Sequence, residues 1–244
     1  MKNIVVVLIC LAFLQSNAQP IFHKTVKIEF EKTVYVRQLY KSWEPEWYEM
    51  IKDRLPETAL TYFDFIGDTS RSVYKPGREV RYDPRSPYQG LADKNIVYTD
   101  YSSATYTSQK PVFDETFLVQ DSLLNIKWKL TNDIRTIAGF ECRKAVGLID
   151  DSIAVFAFYT DEILIQGGPE TAHGLPGMIL GLGMPRIHTT WFATRIEVNG
   201  VNLTEVVPAK KGRKVDRKAM INSLDKVLHN WGDYGKYMMW NFMI

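Results

Sequence analysis

The stretch Val26-Lys27-Ile28-Glu29-Phe30-Glu31 decides the fold. Apolar and charged side chains alternate residue by residue, and Val34 and Val36 continue the pattern. Successive side chains on a strand point to opposite faces, so this period predicts a sheet with one apolar and one wet face. The same period returns at Ile126, Trp128 and Leu130, interleaved with Lys127 and Lys129. Residues 60–66 and 72–74 read as strands around the turn Asp68-Thr69-Ser70. Short strand pieces fill 96–130, and further strands follow at 135–145, 153–159, 179–182 and 190–198. Residues 153–159 are apolar throughout, which suits a strand covered on both faces. Asn199-Gly200 is a hairpin turn, with Val201, Leu203 and Val207 on the returning strand.

Helical spacing is confined to two places. Trp47, Ile51 and Leu55 recur every four residues between Pro45, which suits a first turn, and Pro56, which stops the run. Met220, Ile221, Leu224, Val227, Leu228 and Trp231 form an apolar stripe from Asp216 to Gly232. Residues 76–94 carry three prolines and many charges and read as a long surface loop. The final stretch, 237–244, holds Met238, Met239, Trp240, Phe242 and Met243, so it is expected to dock into the core.

The first residues read as a secretory leader. Lys2 is followed by an uncharged apolar run over 4–14, and Ser16 and Ala18 are small residues at the −3 and −1 sites, predicting cleavage before Gln19. That run is too short to cross a bilayer. Cys10 lies inside it, behind Ile9, which argues against lipid attachment. The expected organisation is therefore a leader over 1–18 and a single domain over 19–244, with no transmembrane span in the mature chain. Net charge is +2 with Lys2 included, so attraction to nucleic acid is not expected. The basic run Lys210-Lys211-Gly212-Arg213-Lys214 reads as a solvated loop leading into a helix.

Five ordered segments resemble the GLPGLI family of exported proteins from Bacteroidota. They are Trp128-Lys129-Leu130, residues 137–145 around Phe140-Glu141-Cys142, residues 158–163 around Thr160-Asp161-Glu162, Gly168-Pro169-Glu170, and Gly174-Leu175-Pro176-Gly177-Met178-Ile179-Leu180. Met178 replaces the leucine of the family name, and Leu164-Ile165 stand where proline often follows, so the strand is expected to run on there. Pro176-Gly177 suit the centre of a type II turn. The resemblance implies an extracytoplasmic protein with no established activity and no catalytic residues to transfer. The layout is also similar to lipoprotein-carrier proteins at the level of fold. The expected class is thus α+β and mostly antiparallel: one strongly curved sheet, a half-barrel, with a short helix in the N-terminal half and a C-terminal helix.

The chemistry points to binding more than to catalysis. Cys142 is the one cysteine left after the leader and the one possible reactive thiol. Strand alternation places it on the face of Phe140, which predicts burial. His173, His188, Asp161 and Glu162 match no metal-ligand spacing, so neither metal nor cofactor is expected. Asp161 and Glu162 are adjacent and would face opposite ways on a strand. No Gly-x-Ser-x-Gly elbow occurs. Trp128, Phe158 and Trp191 are candidate walls of an apolar pocket, with Gly174, Leu175, Pro176 and Gly177 as its rim. The expected role is a periplasmic or outer-membrane-associated protein that binds a hydrophobic small molecule, a peptide or an envelope protein. The alternatives are a cysteine- or metal-dependent envelope enzyme and a structural subunit that uses its apolar tail as a contact.

Overall fold

A computed structural model describes residues 21–80, 86–88, 90–151 and 153–244; the expected leader lies outside them. Among these residues twelve strands form one sheet. In chain order they are β1 (Thr25–Val34), β2 (Ala59–Asp68), β3 (Arg71–Pro76), β4 (Ile96–Asp100), β5 (Thr105–Val112), β6 (Glu115–Ser122), β7 (Ile126–Ile137), β8 (Phe140–Ile149), β9 (Ile153–Thr160), β10 (Met178–Met184), β11 (Thr189–Glu197) and β12 (Arg213–Val215). Across the sheet the order is β12-β6-β5-β4-β3-β2-β1-β11-β10-β9-β8-β7. Every neighbouring pair is antiparallel except the short β12–β6 pair. The helices are α1 (Val36–Trp43), α2 (Pro45–Ile51), α3 (Arg217–Leu228) and α4 (Gly232–Phe242). The architecture is α+β and mostly antiparallel, as expected. Among the described residues no helix is long and apolar enough to cross a membrane.

The opening stretch behaves as its period demands. Val26, Ile28, Phe30 and Val34 are all buried on one face of β1. The expected turn at residues 68–70 forms, with the Asp68 carboxylate accepting from the backbone N–H of Ser70 and Arg71. Asp216 caps α3 by accepting from the Ala219 N–H at 2.6 Å. The tail docks: Tyr237, Met238, Phe242 and Ile244 are buried, and most of this segment is helical.

Five expectations need correction. Val36 does not continue β1, because Val36, Leu39 and Tyr40 bury one side of α1 instead. The single helix expected after Pro45 is one of two short helices, followed by a 3-10 turn over Lys52–Arg54. Residues 135–145 are not one strand. Ala138 (φ +47°) and Gly139 (φ +91°) make a two-residue hairpin between β7 and β8. No strand returns after Asn199-Gly200, because β11 already pairs on both edges, with β1 and β10. Residues 201–206 instead cover Ile66 and Val73 on the other face of the sheet through Val206 and its neighbours. Finally, β9 stops at Thr160 rather than running on through Leu164-Ile165. The chain there pairs with His23, which donates to Glu162 O and accepts from the Leu164 N–H.

Candidate functional site

Strand alternation carries two lysines into the core. Lys32 follows Val26, Ile28 and Phe30 at the inward phase of β1, and Lys110 follows Tyr106 and Ser108 at the inward phase of β5. Both are almost fully buried, at 1% and 2% exposure. Buried ammonium groups need acceptors, because removing a charge from water is strongly unfavourable. Lys32 Nζ donates to Leu91 O at 2.6 Å and to Asp93 Oδ1 at 2.8 Å, and it lies 5.9 Å from the Trp191 ring centroid. Lys110 Nζ donates to the backbone oxygen of Ile244. Burial pushes the Lys110 pKa down to about 8, against the pull of the Glu170 charge.

Glu170 enters the same region from the loop between β9 and β10. It is 3% exposed and its backbone sits at φ +54°, a left-handed conformation that is strained for a residue with a side chain. Its carboxylate accepts from Asn95 Nδ2 at 3.0 Å. Burial raises its pKa above the usual carboxylate range, while Lys110 and Lys32 pull it the other way. Among the described residues no ion pair joins Glu170 to either lysine. Among the described residues, Glu170 Oε1, Asn95 Oδ1 and Thr171 Oγ1 are buried and have no hydrogen-bond partner. The Tyr74 hydroxyl and Trp191 Nε1 lie together but outside hydrogen-bond geometry. A buried polar atom left unsatisfied costs about 1–3 kcal/mol, so each of these calls for a partner. A small cavity adjoins Glu170 and Thr171 and is walled by Trp128, Leu182 and Met184; its volume of about 10 Å³ is the room of a single water.

Groups with opposed pKa shifts, clustered with unmet hydrogen-bonding capacity, make this region the candidate site. The effect of Lys110 on stability has a definite sign. Its folded pKa lies below the ordinary value of 10.5. The unfolded chain therefore binds more protons between about pH 8 and 10.5, and stability rises with pH across that window. Buried tyrosines such as Tyr106 and Tyr237 have raised pKa values and act oppositely above about pH 10. Urea midpoints measured from pH 8 to 10 are expected to rise in the wild type and to flatten in Lys110→Met.

The sequence-predicted residues fall in three places. Trp128 stands by the glycine-proline turn: its Nε1 donates to His173 O at 2.9 Å, and a Cβ on Gly174 would lie 3.7 Å from that nitrogen. Leu175 and Gly177 are buried and Pro176 is exposed. The turn differs from the expected type II form. Gly177 N–H bonds Leu175 O at 2.8 Å across Pro176, and Met178 N–H bonds Ile163 O instead of closing the wider turn. Trp191 lies in the interior beside Lys32. Phe158 alternates with buried Ala157 and stands on the opposite face with Phe192 and the Arg135 guanidinium. That face, with Ala154 exposed and Phe156 half-buried, is open in part, so β9 is not covered on both faces as its apolar run predicts. Cys142 is buried, donates weakly to Phe140 O at 3.6 Å, and burial pushes its pKa up to about 12. A buried protonated thiol is a poor nucleophile, so iodoacetamide is expected to label Cys142 only after denaturation. Rapid labelling of the folded chain at neutral pH would contradict this geometry. Among the described residues no group of three or more His, Cys, Asp and Glu is placed to hold a metal ion.

Lys32, Asn95, Lys110 and Thr171 were not singled out by sequence reasoning, and Glu170 was quoted only as part of a motif. The usable signal was phase: each lysine falls where its strand places apolar neighbours. Nothing local in the sequence brings residues 93–95 and 170–171 to those strands.

Comparison with known proteins adds fold information alone. No family model matches the chain, and no curated protein matches it. Two solved structures of PNGF-II are similar in shape. The structure in the P21 space group superposes with a TM-score of 0.53 at 11% identity, over 82% of this chain and 33% of that one. The structure in the C2 space group gives 0.51 at 12% identity, over 89% and 33%. The chain thus spans about a third of the length of the structures it resembles.

Proposed function

We propose that this chain is an exported cell-envelope protein that binds a ligand or partner segment inside its sheet, without a reaction of its own. The ligand has an apolar body and a head that donates hydrogen bonds. The observation that carries this reading is the open valence at Glu170 Oε1, Asn95 Oδ1 and Thr171 Oγ1, all buried and all able to accept. The neighbouring cavity is apolar on its other walls, which suits the body of such a ligand. In this reading the cavity widens when the ligand enters, and the segment around Ile244, which lines it, yields the space.

The sheet is read as a half-barrel around that interior. β6 and β7 stand ten places apart in strand order, yet residues 123–125 join them. Such a link reaches about 14 Å, whereas ten flat strand spacings would span about 48 Å. Arg217 supports the same reading, since its backbone N–H bonds Asp121 at 3.0 Å while its guanidinium pairs with Asp150 at 2.6 Å. Export rests on the leader pattern around Lys2 and Ala18 and on the GLPGLI resemblance.

Native mass spectrometry of gently purified protein tests the reading. The wild type is expected to carry a bound species that Glu170→Leu loses while keeping its circular dichroism. A wild type that carries nothing and takes up no apolar dye would overturn it.

A further inference from the structure

A second site lies on the surface, where α1 and α2 face the start of α4. Six aromatic side chains gather there. Tyr40 stacks at a tilt on Trp43 and Trp47, with centroids 5.3 and 5.2 Å away. Trp231 and Tyr234 lie parallel within 8° at 6.1 Å, and Trp43 meets Tyr234 edge-on at 4.7 Å. Phe113 closes on Trp231 at 5.8 Å. Between the two walls is an open cleft of about 380 Å³, and among the described residues Glu44 is its one charged lining residue.

Core packing accounts for Trp43, which also meets buried Tyr237 edge-on at 4.5 Å. It does not account for Trp47, Trp231 and Tyr234, which remain 38%, 44% and 39% exposed. Water-facing indoles grouped on one concavity are uncommon without a binding role. The rest of the surface sharpens the point. Arg78 lies over Tyr62, Arg186 over Trp240, Arg213 over Phe117, and Arg135 over Phe192. Among the described residues no cation lies over a ring of the cleft, and the Glu44 carboxylate has no ion-pair partner.

We propose that this cleft binds an organic cation, a quaternary or alkylated ammonium group, held among the rings of Trp47, Trp231 and Tyr234 with Glu44 at its edge. The electron-rich ring faces attract a cation within about 6 Å, by about 0.5–1 kcal/mol each when exposed and more when the cation is desolvated. A neutral ligand of the same shape gains neither this attraction nor the carboxylate. Phosphate-bearing ligands are disfavoured by Glu44. The site is independent of the buried cluster.

The full chain is titrated with choline and with 3,3-dimethylbutanol, its neutral isostere, following tryptophan fluorescence and heat. Choline is expected to saturate the signal and to bind about tenfold more tightly than the isostere, the ratio that about 1.4 kcal/mol of charge-dependent attraction supplies. Trp231→Ala is expected to abolish saturation. Glu44→Gln, an exposed change that leaves the fold intact, is expected to weaken choline several-fold and leave the isostere unaffected. Trp47→Phe keeps a ring in place and is expected to retain part of the affinity. Equal affinity for the two ligands, no saturation by choline at millimolar concentration, or indifference to Glu44→Gln would each overturn the proposal.

Discussion

Removing residues 237–244 is expected to abolish cooperative folding. The segment places Tyr237, Met238, Phe242 and Ile244 in the core. Truncating a single buried large side chain costs about 2–5 kcal/mol. Four together match or exceed the whole stability of an ordinary domain, about 5–15 kcal/mol. The deletion also takes Met243 O, at 3.3 and 3.1 Å from Nε and Nη2, away from Arg217, which keeps its ion pair with Asp150, and it strips buried Lys110 of the backbone oxygen of Ile244. A buried cation left alone is worse than no cation. Thermal melting followed by circular dichroism, with limited proteolysis alongside, checks the outcome. A truncated chain that melts cooperatively near the wild-type temperature and loses only a binding partner would make the tail an interaction surface instead.

Gly177→Ala is expected to lower stability by about 3 kcal/mol or more. Gly177 sits at φ +143°, where side chains are rarely tolerated. The space is worse than the torsion: a Cβ there would lie 2.0 Å from Thr160 O and 2.8 Å from its carbonyl carbon. Those are backbone atoms at the end of β9, so no rotamer change relieves the clash. For a chain of this size the loss corresponds to a fall in melting temperature of about 6–12 °C. Gly200→Ala is the control. It also has positive φ, at +67°, but nothing lies near its Cβ position. It is expected to cost about 1–2 kcal/mol from torsion alone. Similar melting shifts for the two variants would show that the contact with Thr160 is not what holds the turn.

Much of the fold was readable because period-two burial is a local signal. Val26 to Phe30, the turn at Asp68 and the cap at Asp216 each depend on residues a few positions apart. The errors arose where partners are distant. The returning strand after Gly200 has good local chemistry and fails because β1 has taken the edge of β11. The run beyond Thr160 fails because His23 captures the backbone at residues 162–164. The site was harder still. Lys32 and Lys110 read as ordinary wet residues of alternating strands until their phase is compared with that of their neighbours, and Asn95 and Glu170 meet only through tertiary structure.

The position of β1 has a consequence for how the molecule assembles. One run of neighbouring strands, β2 to β6, and another, β7 to β11, can each zip up from segments adjacent in the chain. Only the first strand joins them, with Val34 beside both Ala59 and Thr189. The seam therefore stays open until residues 189–197 have been made, and closing it requires a search across more than 150 residues of chain. Refolding is expected to be slow for this reason, with two half-sheets present before β1 and β11 pair.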